Sequence, residues 1–336
     1  MLQMTSKSTA KITCVSQEAW KAVQRQGESA ADSPPPVSLG ECAKVFGIRC
    51  IRFEPIISGA GIAKSGKNLE IIVNTEATED TYPAGTTFSV DDANWPDFTP
   101  SLRFTIAHEI AHAAFLGTAE WDKGNDVAQK NREAIENGCS ILARNFLLPR
   151  RMLIRELTTR LFDVDHVSSL LSVFRVSPEV FIRRLHLSDM KSQYGDLDGF
   201  LAFAQEKHGA LRIRVCHVLG THATGRFHDA LKRARREREQ PVQYRSLSVE
   251  YTQAKWALEG CAFNDPRLGL HGDIESLLRN NESGRLDLEV GWAARDVIPC
   301  DLAFRRIHHQ PLGLLVRVQV TGPVRKLGQT TLFRGG

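Results

Sequence analysis

The spacing of hydrophobic residues along the chain changes near residue 198. Before that point, apolar side chains recur every three or four residues, for example within residues 39–46, which is the spacing of one helix face. After it, apolar and polar residues alternate in 211–215, 286–290 and 314–320, as expected for strands with one buried face. The pattern predicts an α+β fold class, in which a helix-rich first part is followed by a sheet-rich C-terminal domain.

The first part is predicted to begin with a helix and two strands. Residues 1–37 are weakly patterned and end in a run of prolines, so we expect a flexible N-terminal segment. Residues 38–41 fit a capping box, in which a serine side chain caps the first helical turn. Two β-prone runs follow at 48–53 and 69–73, and a hairpin signal lies between them at 65–68.

Two long helices are predicted after a polar segment of residues 75–98, which is long enough to be a functional or a disordered loop. The threonine and proline at 99–100 fit the cap and the first position of a helix, and Gly117 can end it. A second helix is predicted over about 127–148, and two or three short helices over 152–187.

We expect three parts along the 336-residue chain, because that length exceeds one average domain. They are the flexible segment 1–37, a first domain of residues 38–190 with a helical part at 150–187, and the sheet-rich C-terminal domain 198–336. Apolar residues make up 42% of the chain and charged residues 24%, which is a globular composition.

Charge and cysteine usage exclude some classes of protein. The net charge of +4 is too small to indicate a nucleic-acid binder. The seven cysteines are scattered and form no C-x-x-C pair, so neither a disulfide framework nor a cysteine zinc knuckle is indicated. No apolar run approaches the ~18 residues of a membrane span, and the N-terminus lacks the apolar block of a signal peptide. We therefore expect a reduced, cytoplasmic protein with no membrane partner.

Residues 108–112 read His-Glu-Ile-Ala-His, an H-E-x-x-H motif inside a predicted helix. Histidines four residues apart lie about 40° from each other around a helix axis, so His108 and His112 can bind one metal ion. Glu109 points beside that ion, where it can take a proton from a bound water as general base. The flanking residues are largely apolar, which argues against two surface histidines on a solvated face. The motif predicts zinc, and another divalent metal is the alternative.

A catalytic zinc site normally has three protein ligands and one open position. Glu136 is the best candidate for the third ligand, because Cys139, Ala143 and Leu147 follow it at helical spacing and place its carboxylate on an apolar stripe. Such a carboxylate usually has a metal or a cation as partner. Taken alone, Glu136 could also be an ordinary exposed helix glutamate. The other carboxylates weighed as third ligand are Glu133, one turn earlier, and Asp122 and Asp126.

Two segments resemble the ImmA/IrrE metallopeptidases. Residues 103–112 are similar to the active-site helix of that family, and residues 136–149 are similar to its glutamate helix. In that helix a Glu is followed by a small residue three positions on, an Ala seven on and a Leu-x-Pro ending thirteen on. The register of this match favours Glu136 over Glu133. The family's usual Asn after the small residue is Ser140 here.

The resemblance covers about residues 38–187 and implies a zincin-like metallopeptidase domain that cuts a peptide bond in a protein substrate. It implies zinc bound by the two histidines and Glu136. Family members typically cleave a helix-turn-helix repressor and so release stress-response or mobile-element genes. One branch carries a GAF-like C-terminal domain, a layout that suits 198–336. A strand lining the cleft is expected to hold the substrate by β-augmentation, and Leu69–Asn74 is the candidate.

Two weaker signals bear on nucleic-acid binding. Residues 170–185 fit a helix-turn-helix pattern, but Val180, Phe181 and Ile182 make its second helix apolar, which favours scaffolding or substrate docking over DNA contact. A basic run at 226–245 is interrupted by acidic residues, so a solvated helix or loop is the favoured interpretation.

Three functional hypotheses follow. The favoured one is a zinc endopeptidase acting on a protein substrate, in particular a helix-turn-helix repressor. The alternative is a DNA- or partner-binding regulator with a structural or vestigial zinc site, against which the intact Glu109 argues, because a structural site needs no base. A third is another zinc hydrolase that acts on small amides.

Overall fold

The computed structural model describes residues 35–65, 68–76, 82–92, 95–116, 126–157, 163–185, 199–219, 274–293, 296–309, 311–321 and 325–326. Almost all of the predicted flexible segment and all of the basic run lie outside these residues. The chain is an α+β protein that divides into two compact units. One unit is Met1–Glu156 with Leu170–Arg184, and the other is Leu157–Ser169 with Leu185–Gly336. The domain limits expected from the sequence stay a prediction.

The first unit contains a four-stranded mixed sheet in the order β2-β3-β1-β4. Its strands are β1 (Ile48–Glu54), β2 (Ala60–Ser65), β3 (Asn68–Asn74) and β4 (Thr87–Ser89). β1 and β3 are parallel, whereas β2 pairs antiparallel with β3 and β4 pairs antiparallel with β1. Helix α1 (Leu39–Val45) precedes β1 and begins where the capping box predicts, because the Ser38 hydroxyl accepts a hydrogen bond from the Glu41 amide at 3.3 Å.

The pairing of β2 corrects one expectation about this sheet. The hairpin signal at 65–68 lies between β2 and β3. The two strands that the sequence predicts are β1 and β3, and they are parallel neighbours. β3 therefore has a partner on both sides, so the expectation that Leu69–Asn74 holds a substrate strand was wrong. β2 escaped prediction because Ala60–Ser65 is mostly glycine, alanine, lysine and serine, which have little intrinsic preference for strands.

Aromatic side chains pack the polar segment 75–98 against the sheet. The ring centroids of Phe53 on β1 and Tyr82 lie 4.6 Å apart, and those of Phe88 and Phe98 lie 5.7 Å apart. Phe98 comes two residues before the next helix, so this cluster fixes where that helix begins relative to the sheet. The described part of the segment is thus an ordered connection.

Helix α2 (Pro100–Leu116) begins as predicted, with the Thr99 hydroxyl accepting a hydrogen bond from the Leu102 amide at 3.3 Å. It packs against β2 and β3. Ile106 and Ile110 on the helix are fully buried, as is Ile71 on β3. The helix that carries the H-E-x-x-H motif is therefore a buried one, as its apolar sequence predicts.

Helix α3 (Asp126–Leu147) packs against α2 and agrees with the predicted 127–148 within one residue. Three short helices follow: α4 (Arg150–Leu157), α5 (Val164–Phe174) and α6 (Pro178–Leu185). Val180, Phe181 and Ile182 on α6 are buried. The fully buried Arg184 donates from Nε to the carbonyl of Leu148 at 3.0 Å, at the end of α3. These contacts support the scaffold interpretation of the helix-turn-helix pattern.

The second unit is built on an antiparallel sheet in the order β10-β8-β9-β5-β6, with β7 also paired to β8. Its strands are β5 (Gly199–Lys207), β6 (Ala210–Leu219), β7 (Ser283–Ala293), β8 (Asp296–His309), β9 (Leu312–Val320) and β10 (Arg325–Lys326). Helix α7 (Ile274–Asn280) contributes Ile274 and Leu278 to the core, which also contains Phe200, Ile213 and Val316. The sheet-rich character agrees with the alternating pattern, and the GAF-like assignment stays a prediction.

Within the described residues, the helices are all too short or too polar to cross a membrane.

Candidate metal centre

Helix α2 brings the two histidines of the H-E-x-x-H motif together. Their Nε2 atoms lie 3.1 Å apart, and their ring centroids lie 4.8 Å apart. The His108 and His112 side chains are only 16% and 13% exposed. The spacing of one helical turn therefore directs both Nε2 atoms into the same small, largely enclosed space.

Helix α3 adds Glu136 to this pair. Its Oε2 atom lies 3.1 Å from Nε2 of His108 and 3.5 Å from Nε2 of His112. The Glu136 side chain is 46% exposed, so the third group borders solvent. The side chains of the alternatives Glu133 and Asp126, and the whole of Asp122, lie outside the described residues.

A tetrahedral metal site fits between three atoms, namely Nε2 of His108, Nε2 of His112 and Oε2 of Glu136. Zinc bonds to nitrogen and oxygen are about 2.0–2.2 Å long, which puts tetrahedral ligand atoms about 3.3–3.6 Å apart. The observed separations of 3.1, 3.1 and 3.5 Å are close to these values. Two imidazole nitrogens and a carboxylate oxygen are all electron-pair donors, so a cation between them removes their mutual repulsion.

Glu109 forms a second close group with the same histidines. One ligand atom from each of His108, Glu109 and His112 lies within 4.8 Å of the other two. The group that contains Glu136 is tighter, since its longest separation is 3.5 Å. We therefore favour Glu136 as the third ligand and Glu109 as a group beside the site.

The Glu109 side chain is held in an environment that suits proton transfer. The residue is 9% exposed. Burial, followed by the negative charge of Glu136, raises the pKa of Glu109 to about 7. A bound cation would oppose this rise, because a nearby positive charge favours the ionised carboxylate. A carboxyl whose pKa lies near neutrality can both take up and release a proton.

The outer nitrogens of both imidazoles also have partners on α3. The Cys139 thiol sulfur lies 3.3 Å from Nδ1 of His112, and the Ser140 hydroxyl oxygen lies 3.4 Å from Nδ1 of His108. Burial, and then the charge of His108, lowers the pKa of His112, which favours the neutral imidazole that binds metals. Burial raises the pKa of the Cys139 thiol, so this group stays protonated.

The sequence around this centre matches a known family. Residues 99–186, which run from the cap of α2 to the end of α6, match the model of the IrrE N-terminal-like domain, Peptidase_M78. This segment is therefore similar to that domain. The resemblance to the ImmA/IrrE metallopeptidases is thereby confirmed, and it suggests a metallopeptidase-like function.

The IrrE N-terminal-like segment contains every residue of the candidate centre. Its two long helices supply His108, Glu109 and His112 from one side and Glu136 from the other. The sequence did not reveal the contacts of Cys139 and Ser140 with the imidazoles. Their positions three and four residues after Glu136 are the signal that could have found them, because residues at that spacing share a helix face.

No curated protein matches the sequence of this chain. Among solved structures, a Mycobacterium tuberculosis transcriptional regulator is similar at a TM-score of 0.42 and 13% identity, over 90% of this chain and 76% of that chain. A likeness of this size does not bear on the function of the IrrE N-terminal-like segment.

Proposed function

We propose that this protein is a zinc-dependent endopeptidase that cleaves a protein substrate. The observation that carries the proposal is the cluster of His108 Nε2, His112 Nε2 and Glu136 Oε2 within 3.5 Å, with the buried Glu109 beside it. When bound, zinc would polarise the scissile carbonyl and make the attacking water more acidic.

Glu109 would act as the proton carrier of the reaction. Its carboxylate accepts a proton from the water as the water oxygen bonds to the carbonyl carbon. It then delivers a proton to the amine nitrogen as the C–N bond breaks, which regenerates the carboxylate for the next cycle. A carboxyl group that is largely shielded from water keeps this proton at the site, where the leaving amine needs it.

We propose that the outer edge of β2 holds an extended segment of the substrate. β2 is an edge strand of the first sheet, and it packs against α2, the helix that carries the histidines. An edge strand can add a substrate strand by main-chain hydrogen bonds. A Cβ atom added at Gly61 on β2 would meet no atom within 4 Å, so the face of the sheet is open at this position, where side chains of an added strand would lie beside it.

The substrate that we propose is a helix-turn-helix transcriptional repressor, whose cleavage would release genes of stress response or mobile-element control. The resemblance to the ImmA/IrrE metallopeptidases supports this choice. A small helix-turn-helix protein encoded next to this one is the substrate to try first.

The test is cleavage of that repressor by the zinc-loaded protein and by its Glu109→Gln variant. Loss of a general base should lower the cleavage rate by about 10²–10⁴-fold. Zinc content should stay that of the parent protein, because Glu109 is not one of the three ligands. Glu41→Gln is the matched control, since that glutamate is exposed on α1 and its loss should leave the rate unchanged.

The same experiment separates the competing functions. Undiminished cleavage by Glu109→Gln would refute the proposed mechanism. Salt-dependent DNA binding without chelator-sensitive proteolysis would favour a regulator with a structural zinc site. Turnover of small amides but not of a folded repressor would favour the small-amide hydrolase.

A further inference from the structure

One face of α3 contacts both ends of the paired imidazoles. Glu136 lies on the Nε2 side of the histidines, and Cys139 and Ser140, three and four residues later, lie on their Nδ1 side. Residues at this spacing project from the same helix face. The helix that supplies the candidate third ligand thus also contacts the outer nitrogen of each of the other two.

We propose that Cys139 is a positioning residue, whose sulfur accepts a hydrogen bond from the Nδ1–H of His112 and so directs the Nε2 lone pair at the metal. This inference rests on the proposed metal site. A neutral imidazole carries one N–H, so a histidine that binds metal through Nε2 must hold its proton on Nδ1 and needs an acceptor there. The separation of 3.3 Å between Cys139 Sγ and His112 Nδ1 suits such a bond.

The surroundings of Cys139 make this contact matter. Cys139 is fully buried, so Nδ1 of His112 faces protein on that side. A buried N–H that loses its acceptor is costly, and the imidazole then gains by rotating or by changing tautomer. Rotation turns the Nε2 lone pair of His112 away from the metal, and the other tautomer carries a proton on Nε2 instead.

The test is the zinc dissociation constant of the full-length chain, measured by competition with a chelator. Cys139→Ala should raise that constant about 10–100-fold, the range for loss of an outer-shell partner. Cys139→Ser keeps an acceptor and should bind zinc within about threefold of the parent. Cys42→Ala is the matched control, because Cys42 is also a buried free cysteine of the first unit, and the charged groups that influence its pKa are Arg103 and Glu41.

A second readout uses the imidazole proton itself. In the zinc-loaded parent, the Nδ1 proton of His112 should be visible by NMR and exchange slowly with water. In Cys139→Ala it should exchange faster, and in Cys139→Ser its slow exchange should return. Thermal unfolding of the metal-free Cys139→Ala and Cys42→Ala variants should be alike, which shows that the loss of zinc does not come from unfolding.

The outcomes separate this inference from the proposed function. If the parent binds zinc and Cys139→Ala binds it equally tightly, the positioning role is refuted and the metal site stands. If Cys139→Ser is as weak as Cys139→Ala, the thiol acts through packing and the inference is again refuted. A parent protein that binds no zinc refutes the proposed metal site itself.

Discussion

The three candidate ligands differ in how firmly their surroundings hold them. The imidazoles of His108 and His112 are enclosed and have partners on α3, whereas the Glu136 side chain is 46% exposed. An exposed side chain retains more rotamer freedom than a buried one. Glu136 is therefore the ligand that metal binding would order most.

Replacement of Glu136 should cost more zinc affinity than loss of an outer-shell contact. We expect Glu136→Ala to raise the zinc dissociation constant by more than the roughly 10–100-fold of an outer-shell partner, because it removes one of the three proposed direct ligands and leaves only two. Glu133→Ala is the comparison, and it should bind zinc as the parent does. Chelator competition measures both, and the reverse result would identify Glu133 as the ligand.

The candidate centre is built from two helices, and the edge strand β2 packs against one of them. Helices α2 and α3 have clear signals in the sequence, with a cap at Thr99 and an apolar stripe that follows Glu136, and both were predicted nearly to the residue. β2 has no such signal, because it is half-exposed and short of β-branched side chains. Its pairing with β3 alone defines it.

Substitution of Gly61 on β2 should weaken substrate binding without destabilising the fold. Neither Gly59 nor Gly61 has an atom within 4 Å of an added Cβ, and neither requires a left-handed backbone. We expect Gly61→Val to raise the KM for the repressor about tenfold, since one hydrophobic side-chain clash is worth about 1–3 kcal/mol. Its zinc affinity and melting temperature should be those of the parent.

Gly59→Val is the control for that experiment, because Gly59 precedes β2 and the same side chain would stand outside the strand. It should leave KM unchanged. Equal effects of the two substitutions would show that the substrate does not bind along β2.

At the scale of the whole molecule, the candidate ligands join two helices of one unit. Residues 108 and 136 are far apart in sequence, so a bound metal would link α2 to α3 and stabilise the folded state of the first unit. The second unit has a separate sheet and core, and the candidate ligands all lie outside it.

Zinc should therefore stabilise the protein against heat. A ligand at 100 times its dissociation constant adds about 2.7 kcal/mol to the free energy of unfolding, provided that it binds only the folded state. We expect added zinc to raise a melting transition of the parent and a chelator to reverse the rise. Glu136→Ala should show little of this shift at the same zinc concentration, and an equal shift in both proteins would place zinc elsewhere.

The sequence by itself determined the features that depend on neighbours along the chain. The caps at Ser38 and Thr99, the paired histidines of α2 and the apolar stripe behind Glu136 all follow from spacing within a helix, whose geometry is fixed by local hydrogen bonds. The alternation of apolar residues likewise determined the sheet-rich character of the second unit.

Only the tertiary structure decided the features that need distant residues to meet. The parallel pairing of β1 with β3, which leaves β3 no free edge, depends on strand order, which no local pattern specifies. The separation of Glu136 from the imidazoles and the contacts of Cys139 and Ser140 depend on how α2 packs against α3. Side chains 27 to 32 positions apart make these contacts. They become close only when both helices bury their apolar faces together.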